Sequence, residues 1–171
     1  MRFKLLTMFA AALIVSACAG TSSDTGTGSS DGSSANNGGN GSSVSSNTID
    51  GPAPGTQEAL LVEVGDRVFY ATDSSTLSSE AQKTVETLAV WLNSNPSVTL
   101  TLEGNADERG TREYNLALGE RRANAVRDYL VDLGVNGNRL QTISFGKERP
   151  AVLGSNEAAW AQNRRTVFVV N

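Results

Sequence analysis

The densest run of chemistry-bearing side chains lies at residues 103–113, Glu-Gly-Asn-Ala-Asp-Glu-Arg-Gly-Thr-Arg-Glu. Glu103, Asp107, Glu108 and Glu113 share it with Arg109 and Arg112, around Gly104 and Gly110. Paired carboxylates can move protons in acid–base catalysis. Guanidiniums beside them favour the ionised form, which suits binding better than proton transfer. The same composition also describes a plain solvated turn. Other catalytic chemistry is scarce. The 171 residues contain no His and one Cys, which removes Ser-His-Asp and Cys-His nucleophiles, imidazole-based zinc sites and any internal disulfide. A formal charge of -4 argues against nucleic-acid binding, which needs basic charge to release phosphate counterions. No cofactor is implied.

The elements that must position this loop are legible as a pattern. Leu60-Leu61-Val62-Glu63-Val64 and, after Gly65-Asp66, Arg67-Val68-Phe69-Tyr70 read as extended. Ser79-Glu80-Ala81-Gln82 has the capping-box form, so a helix is expected to start there. Val85, Leu88, Ala89 and Leu92 follow at helical spacing, and Asn95-Pro96 ends the run. Residues 98–102 alternate as a strand that Gly104 closes. Past the polar loop, Ala123, Val126, Leu130 and Leu133 mark one helix face, with Gly134 as its C-terminal cap. Residues 140–145 and 166–170 are two further strands. The alternation predicts an α/β (α+β) sandwich, a small mixed sheet of about four strands with helices packed on it.

The two ends of the chain differ in kind. Arg2 and Lys4 precede residues 5–15, which are apolar except for Thr7. That run is shorter than the roughly 20 apolar residues that span a bilayer, and it reads as an export signal. Val15-Ser16-Ala17-Cys18 then looks like a bacterial lipobox, whose cysteine is lipidated and becomes the first mature residue. In lipoproteins of this kind an Asp after the Cys often marks inner-membrane retention; here the residue is Ala19, which points to the outer membrane. Loss of Arg2 and Lys4 leaves 12 bases against 18 acids, a net charge of -6. Residues 19–57 hold 10 Ser and 9 Gly and no aromatic, Lys or Arg. Such a stretch cannot bury enough apolar surface to offset its ordering entropy, and it is expected to be a disordered tether averaging roughly 34 Å end to end. The division expected is therefore 1–17 signal peptide, 18–57 lipidated Cys18 plus linker, and 58–171 folded domain.

Within the folded part, Gly104 to Asp107, Gly110, Asn115, Leu118 and Glu120-Arg121-Arg122-Ala123 follow one family pattern. Phe145-Gly146-Lys147-Glu148 and Asn163-Arg164-Arg165 continue it in order. The chain resembles the OmpA-like peptidoglycan-binding domains, in their peptidoglycan-associated lipoprotein (Pal) branch. The resemblance implies a non-enzymatic module that grips the diaminopimelate of a peptidoglycan stem peptide and tethers the outer membrane to the wall. It implies the Tol-system partners TolB and TolA, an outer-membrane location facing the periplasm, and a role in envelope constriction. By motif, Asp107 supplies the anion and Arg122 the cation, through a bidentate pair with the ligand carboxylate. Asn115, Thr111, Leu118 and Asp73 match positions that line the family's site, and Arg164 matches a nearby basic position. Two residues depart from the pattern. Asn105 stands where many relatives carry His, and Thr72 where others have an aromatic residue.

A helix unbroken from Arg112 onward would carry Arg122 about 15 Å along its axis, away from the Asp107 loop unless that loop folds back. Gly119 suggests a break or tight bend near Leu118-Gly119, because glycine is poor in a helix interior and acceptable at an N-cap. Trp91, Trp160 and Tyr129 read as packing residues. Asp107→Asn and Arg122→Ala are both expected to abolish wall binding with little effect on stability. A wall hydrolase and an OmpA-like lipoprotein outside the Tol system are the alternatives; the lack of His and of paired thiols disfavours the first.

Overall fold

The computed structural model describes residues 51–171. The signal sequence, Cys18 and most of the expected linker lie outside the described residues.

The order is α1 (Gln57–Glu63), β1 (Arg67–Phe69), α2 (Ser79–Ser94), β2 (Leu100–Asn105), α3 (Arg112–Asp132), β3 (Leu140–Gly146), α4 (Glu157–Asn163) and β4 (Arg165–Val170), with one 3-10 turn at Gly137–Arg139 before β3. The sheet runs β1-β4-β2-β3. β4 is antiparallel to both its neighbours, whereas β2 and β3 are parallel and joined through α3. The mixed four-stranded sheet with helices packed on it is the architecture that the pattern predicts.

The core lies between the sheet and α2 and α3. Val85, Leu88, Ala89 and Leu92 of α2 meet Ala123, Val126 and Leu130 of α3 over Leu100, Leu102 and Phe168. Leu133, expected on the same face, is exposed as the C-cap of α3, and Gly134 follows at φ +90°. That left-handed position is where glycine ends a helix at no steric cost. The N-cap of α2 is Ser78, one residue before the one expected; its side chain accepts from the Ala81 N–H. Arg139 closes the other end, donating to the carbonyls of Leu92 (3.0 Å), Asn95 (2.7 Å) and Val98 (2.8 Å). A cation there satisfies carbonyls that the helix leaves unpaired.

The first segment departs from expectation. Residues 60–63 are helical and only Arg67–Phe69 is a strand. A short apolar run does not distinguish strand from helix by periodicity. Thr56 decides for the helix by accepting from the Ala59 N–H, and the helix buries Ala59 and Leu60 while leaving Leu61 and Val62 exposed. Gln57, placed in the linker by composition, is instead part of the domain. Its side-chain amide donates to the Phe168 carbonyl (3.1 Å) and accepts from the Val170 N–H (2.8 Å). The amide thus extends the β4 ladder where β1, three residues long, has ended.

Candidate functional site

Helix α3 is continuous through Gly119, so the break expected there is absent. The glycine serves close packing. A Cβ on Gly119 would stand 2.4 Å from Ser144 Oγ and 2.8 Å from the Gly104 carbonyl oxygen. A Cβ on Gly104 would lie 1.8 Å from the Gly119 carbonyl oxygen. The two glycines let helix backbone touch strand backbone where α3 crosses β2. Helix propensity argues against Gly119, but the approach to β2 outweighs the roughly 1 kcal/mol involved.

That crossing sets Arg122, fully buried, under the end of β2. Its guanidinium donates from Nε to the Ser74 carbonyl (2.8 Å), from Nη1 to that of Asn105 (2.8 Å) and from Nη2 to that of Ala71 (3.2 Å). These bonds use three of its five N–H groups. The Tyr70 ring lies 5.0 Å from the guanidinium carbon, and the Tyr70 hydroxyl donates to the Arg122 carbonyl (2.9 Å). Burial pushes the Arg122 pKa down to about 10, opposed by Tyr70 and Asp107, so it remains a cation at neutral pH. Burial likewise pushes the Tyr70 phenol up to about 12.

The second wall is the loop after β2. Thr111 caps α3 by accepting from the Tyr114 N–H, which starts the helix. The loop folds back along α3, held by Asn115 Nδ2 on the Arg109 carbonyl (2.8 Å) and by Lys147 Nζ on the Gly110 carbonyl (2.7 Å). The return places Asp107 beside Arg122 without any bend in the helix. Asp107 accepts from Arg109 Nη2 at 2.7 Å and Nε at 3.2 Å, from the Arg109 N–H at 3.2 Å, and from Arg164 Nη1 at 3.3 Å. Burial raises the carboxyl pKa, but the hydrogen bonds from Arg109 and Arg164 outweigh it, and the net shift is downward.

Together these residues line a cavity of about 310 Å³. Five of the seven residues expected at the site face it: Asp73, Asp107, Asn115, Leu118 and Arg122. Thr111 does not; it serves as the helix cap. Arg164 lies behind Asp107, held by Glu157 (2.6 Å) and the Tyr70 carbonyl (3.1 Å). Asp73 is a non-glycine residue at positive φ (54°), a conformation that persists only where surrounding contacts enforce it. Here the Tyr114 hydroxyl donates to its carboxylate.

Arg109, singled out in the charged loop but not among the expected site residues, and Tyr114, which the sequence did not single out, both line the cavity. Thr72 forms part of the same wall, and its hydroxyl accepts from Arg109 Nη2 at 3.5 Å. The Arg109 guanidinium also stacks 4.2 Å from the Trp160 ring centroid, so Trp160, expected only to pack, carries the cation that faces Asp107. The signal was available in Arg109 itself, two residues from the candidate anion. The departure at Asn105 is buried; its Nδ2 donates to the Glu103 carbonyl (2.9 Å).

No group of three or more His, Cys, Asp or Glu that could hold a metal occurs among the described residues. The cavity brings two carboxylates and a buried guanidinium around one small space, an arrangement of fixed opposite charges.

Comparison with known proteins gives this arrangement relatives. A peptidoglycan-associated lipoprotein of Rhizobium meliloti (strain 1021) is 55% identical over 117 residues, 68% of this chain and 66% of that protein. Its counterpart in Agrobacterium fabrum (strain C58) is 51% identical over the same shares. The chain thus spans about two thirds of the length of these relatives. The crystal structure of the peptidoglycan-associated lipoprotein from Burkholderia pseudomallei matches with a TM-score of 0.61 at 44% identity, over 62% of this chain and 90% of that one. The OmpA family model matches residues 69–164, which include both walls of the cavity. More than half of the sequence lies in that match, and the chain belongs to the OmpA family.

Proposed function

We propose that the domain binds peptidoglycan non-covalently, taking the free amino-acid head of a stem-peptide diaminopimelate into the cavity. The observation that carries this reading is the juxtaposition of the Asp107 and Asp73 carboxylates with the buried Arg122 guanidinium around one small space. Diaminopimelate offers an ammonium and a carboxylate on one carbon, so a site for it needs fixed opposite charges a few ångströms apart. Arg122 is aimed by backbone carbonyls and keeps two N–H groups beyond them for the ligand carboxylate. The carboxylates take the ammonium, which exchanges with Arg109 at the open end of Asp107.

Names of relatives at 51–55% identity support the same substrate. Those proteins are named as lipoproteins that associate with the wall, not as enzymes. As part of this proposal, lipidated Cys18 anchors the chain in the outer membrane on the periplasmic side, and the residues between Cys18 and Thr56 join anchor to domain. Two modest attachments on one chain gain from effective concentration, so the wall contact need not be tight. Family resemblance supports TolB and TolA as partners, with TolB competing with peptidoglycan for an overlapping surface.

The test is sedimentation of the full chain with purified sacculi, followed by assay for released fragments. Binding without release is expected, and addition of a diaminopimelate peptide should leave the protein in the supernatant. Sedimentation unaffected by that peptide, or release of fragments, would overturn the reading. Labelled palmitate should enter the parent but not a Cys18→Ala variant. TolB should co-purify with the chain in the absence of peptidoglycan and be displaced by the peptide.

A further inference from the structure

Two buried side-chain atoms among the described residues have no hydrogen-bond partner: Asn105 Oδ1 and Arg165 Nε. One is an acceptor and the other a donor. Orphaned buried polar atoms are rare in folded proteins, and each calls for a physical explanation.

Their positions in the sheet supply one. Gly104 of β2 pairs with Thr166 of β4 as the last pair of an antiparallel ladder, and Asn105 and Arg165 are the residues next beyond it on the two strands. A Cβ on Gly104 would point into α3, and the Thr166 hydroxyl meets Tyr70 beside Arg122. Strand alternation therefore turns both Asn105 and Arg165 toward the other side of the sheet, on adjacent strands. The rest of each side chain is already committed. Asn105 Nδ2 holds the Glu103 carbonyl (2.9 Å), while Arg165 Nη1 and Nη2 hold those of Asn163 (3.4 Å) and Arg149 (3.1 Å). Asn163 in turn pins the 151–152 loop over them, accepting from the N–H groups of Ala151 (2.7 Å) and Val152 (3.1 Å).

We propose that Asn105 and Arg165 form a polar bridge across β2 and β4, their free acceptor and donor joined by one buried water, and that this bridge fixes the backbone carbonyl aiming Arg122. A buried water typically makes two to four hydrogen bonds to otherwise unsatisfied groups, and the two orphans supply two of them. The link to the site is direct, because the Asn105 carbonyl is the acceptor for Arg122 Nη1 at 2.8 Å. Asn105 is then a positioning residue that touches no ligand. The effect on ligand affinity rests on the binding reading above; the bridge does not.

The test uses the full chain and the variants Asn105→Asp, Asn105→Leu and Arg165→Met. An aspartate sets a negative charge across the same water from the guanidinium, so Asn105→Asp should raise Tm by a few degrees in the parent and lower it in the Arg165→Met background. A change of the same sign in both backgrounds would overturn the bridge, as would a crystal structure with no water within hydrogen-bond distance of both atoms. Asn105→Leu should shift the Arg122 Nε–H resonance in NMR spectra and weaken diaminopimelate-peptide binding about fivefold, with Asn105→Asp restoring both. An unmoved resonance would overturn the positioning role. A parent that binds no peptide at all, but shows the Tm reversal and the resonance shift, would sink the substrate reading and leave the bridge standing.

Discussion

The two charged walls of the cavity are built on opposite principles. Arg122 is fixed by three backbone carbonyls from two chain segments and has no exposed surface. Asp107 is fixed by side chains, and its nearest cation, Arg109, is itself more than a third exposed. The first wall is part of the fold, inseparable from the packing of α3 on β2. The second is a local electrostatic arrangement that can exchange one cation for another. A binding site benefits from both: a rigid half that sets geometry and a half whose internal partner resembles the group it must accept.

Breaking the rigid wall should give the largest effects. Gly104→Ala places a methyl 1.8 Å from a backbone oxygen with no side chain to yield. A stability loss of about 3 kcal/mol or more is expected in urea unfolding. Arg122→Ala should lose peptidoglycan binding and also about 3 kcal/mol of stability, because three carbonyls near the cavity lose their donor. This corrects the expectation from sequence that the substitution leaves stability nearly unchanged; a surface ion pair would permit that, and a buried carbonyl clasp does not. An Arg122→Ala chain as stable as the parent would erase the contrast between the walls.

Asp107→Asn should separate function from fold. The isosteric amide removes the charge but keeps the shape, so binding to sacculi should fall at least tenfold while stability falls by only about 1 kcal/mol. The pH dependence of that difference follows from the lowered carboxyl pKa. The Asp107 contribution is present above the unfolded-state value of 3.8 and is lost as pH falls through the lower folded-state value. Parent and Asp107→Asn unfolding midpoints should therefore differ at pH 6 and converge in the acid range. The smallest effect is that of salt. Arg109→Ala should lower the unfolding midpoint slightly at low ionic strength and leave it unchanged in molar salt, because exposed ion pairs are screened.

What the sequence disclosed and what it withheld divide along the same line. The α2 face was legible because Val85, Leu88, Ala89 and Leu92 repeat at helical spacing and face a single neighbouring surface. The β2, β3 and β4 segments were legible as apolar runs with turn residues at their ends. Residues 60–63 were not, since a short apolar run does not tell strand from helix, and the capping Thr56 with the core burial of Ala59 and Leu60 decides it. Gly119 was misread because a glycine inside a helix looks like a propensity defect until its partner, Gly104, is known. That pairing is a contact between elements, and no local pattern encodes it. The same holds for the seven candidate site residues. Motif order placed five on the cavity, while Thr111 and Arg164 act one step removed.

The Gln57 amide on β4 has a mechanical meaning. Tension drawn through the chain ahead of Thr56 would meet two side-chain hydrogen bonds on a strand inside the sheet before loading the apolar seat of Leu60. A single point of attachment yields one bond at a time, so α1 would peel away while α3 stayed packed on β2 and the cavity kept its walls. Under a pull of that kind the first helix is a fuse that gives way before the walls of the cavity do.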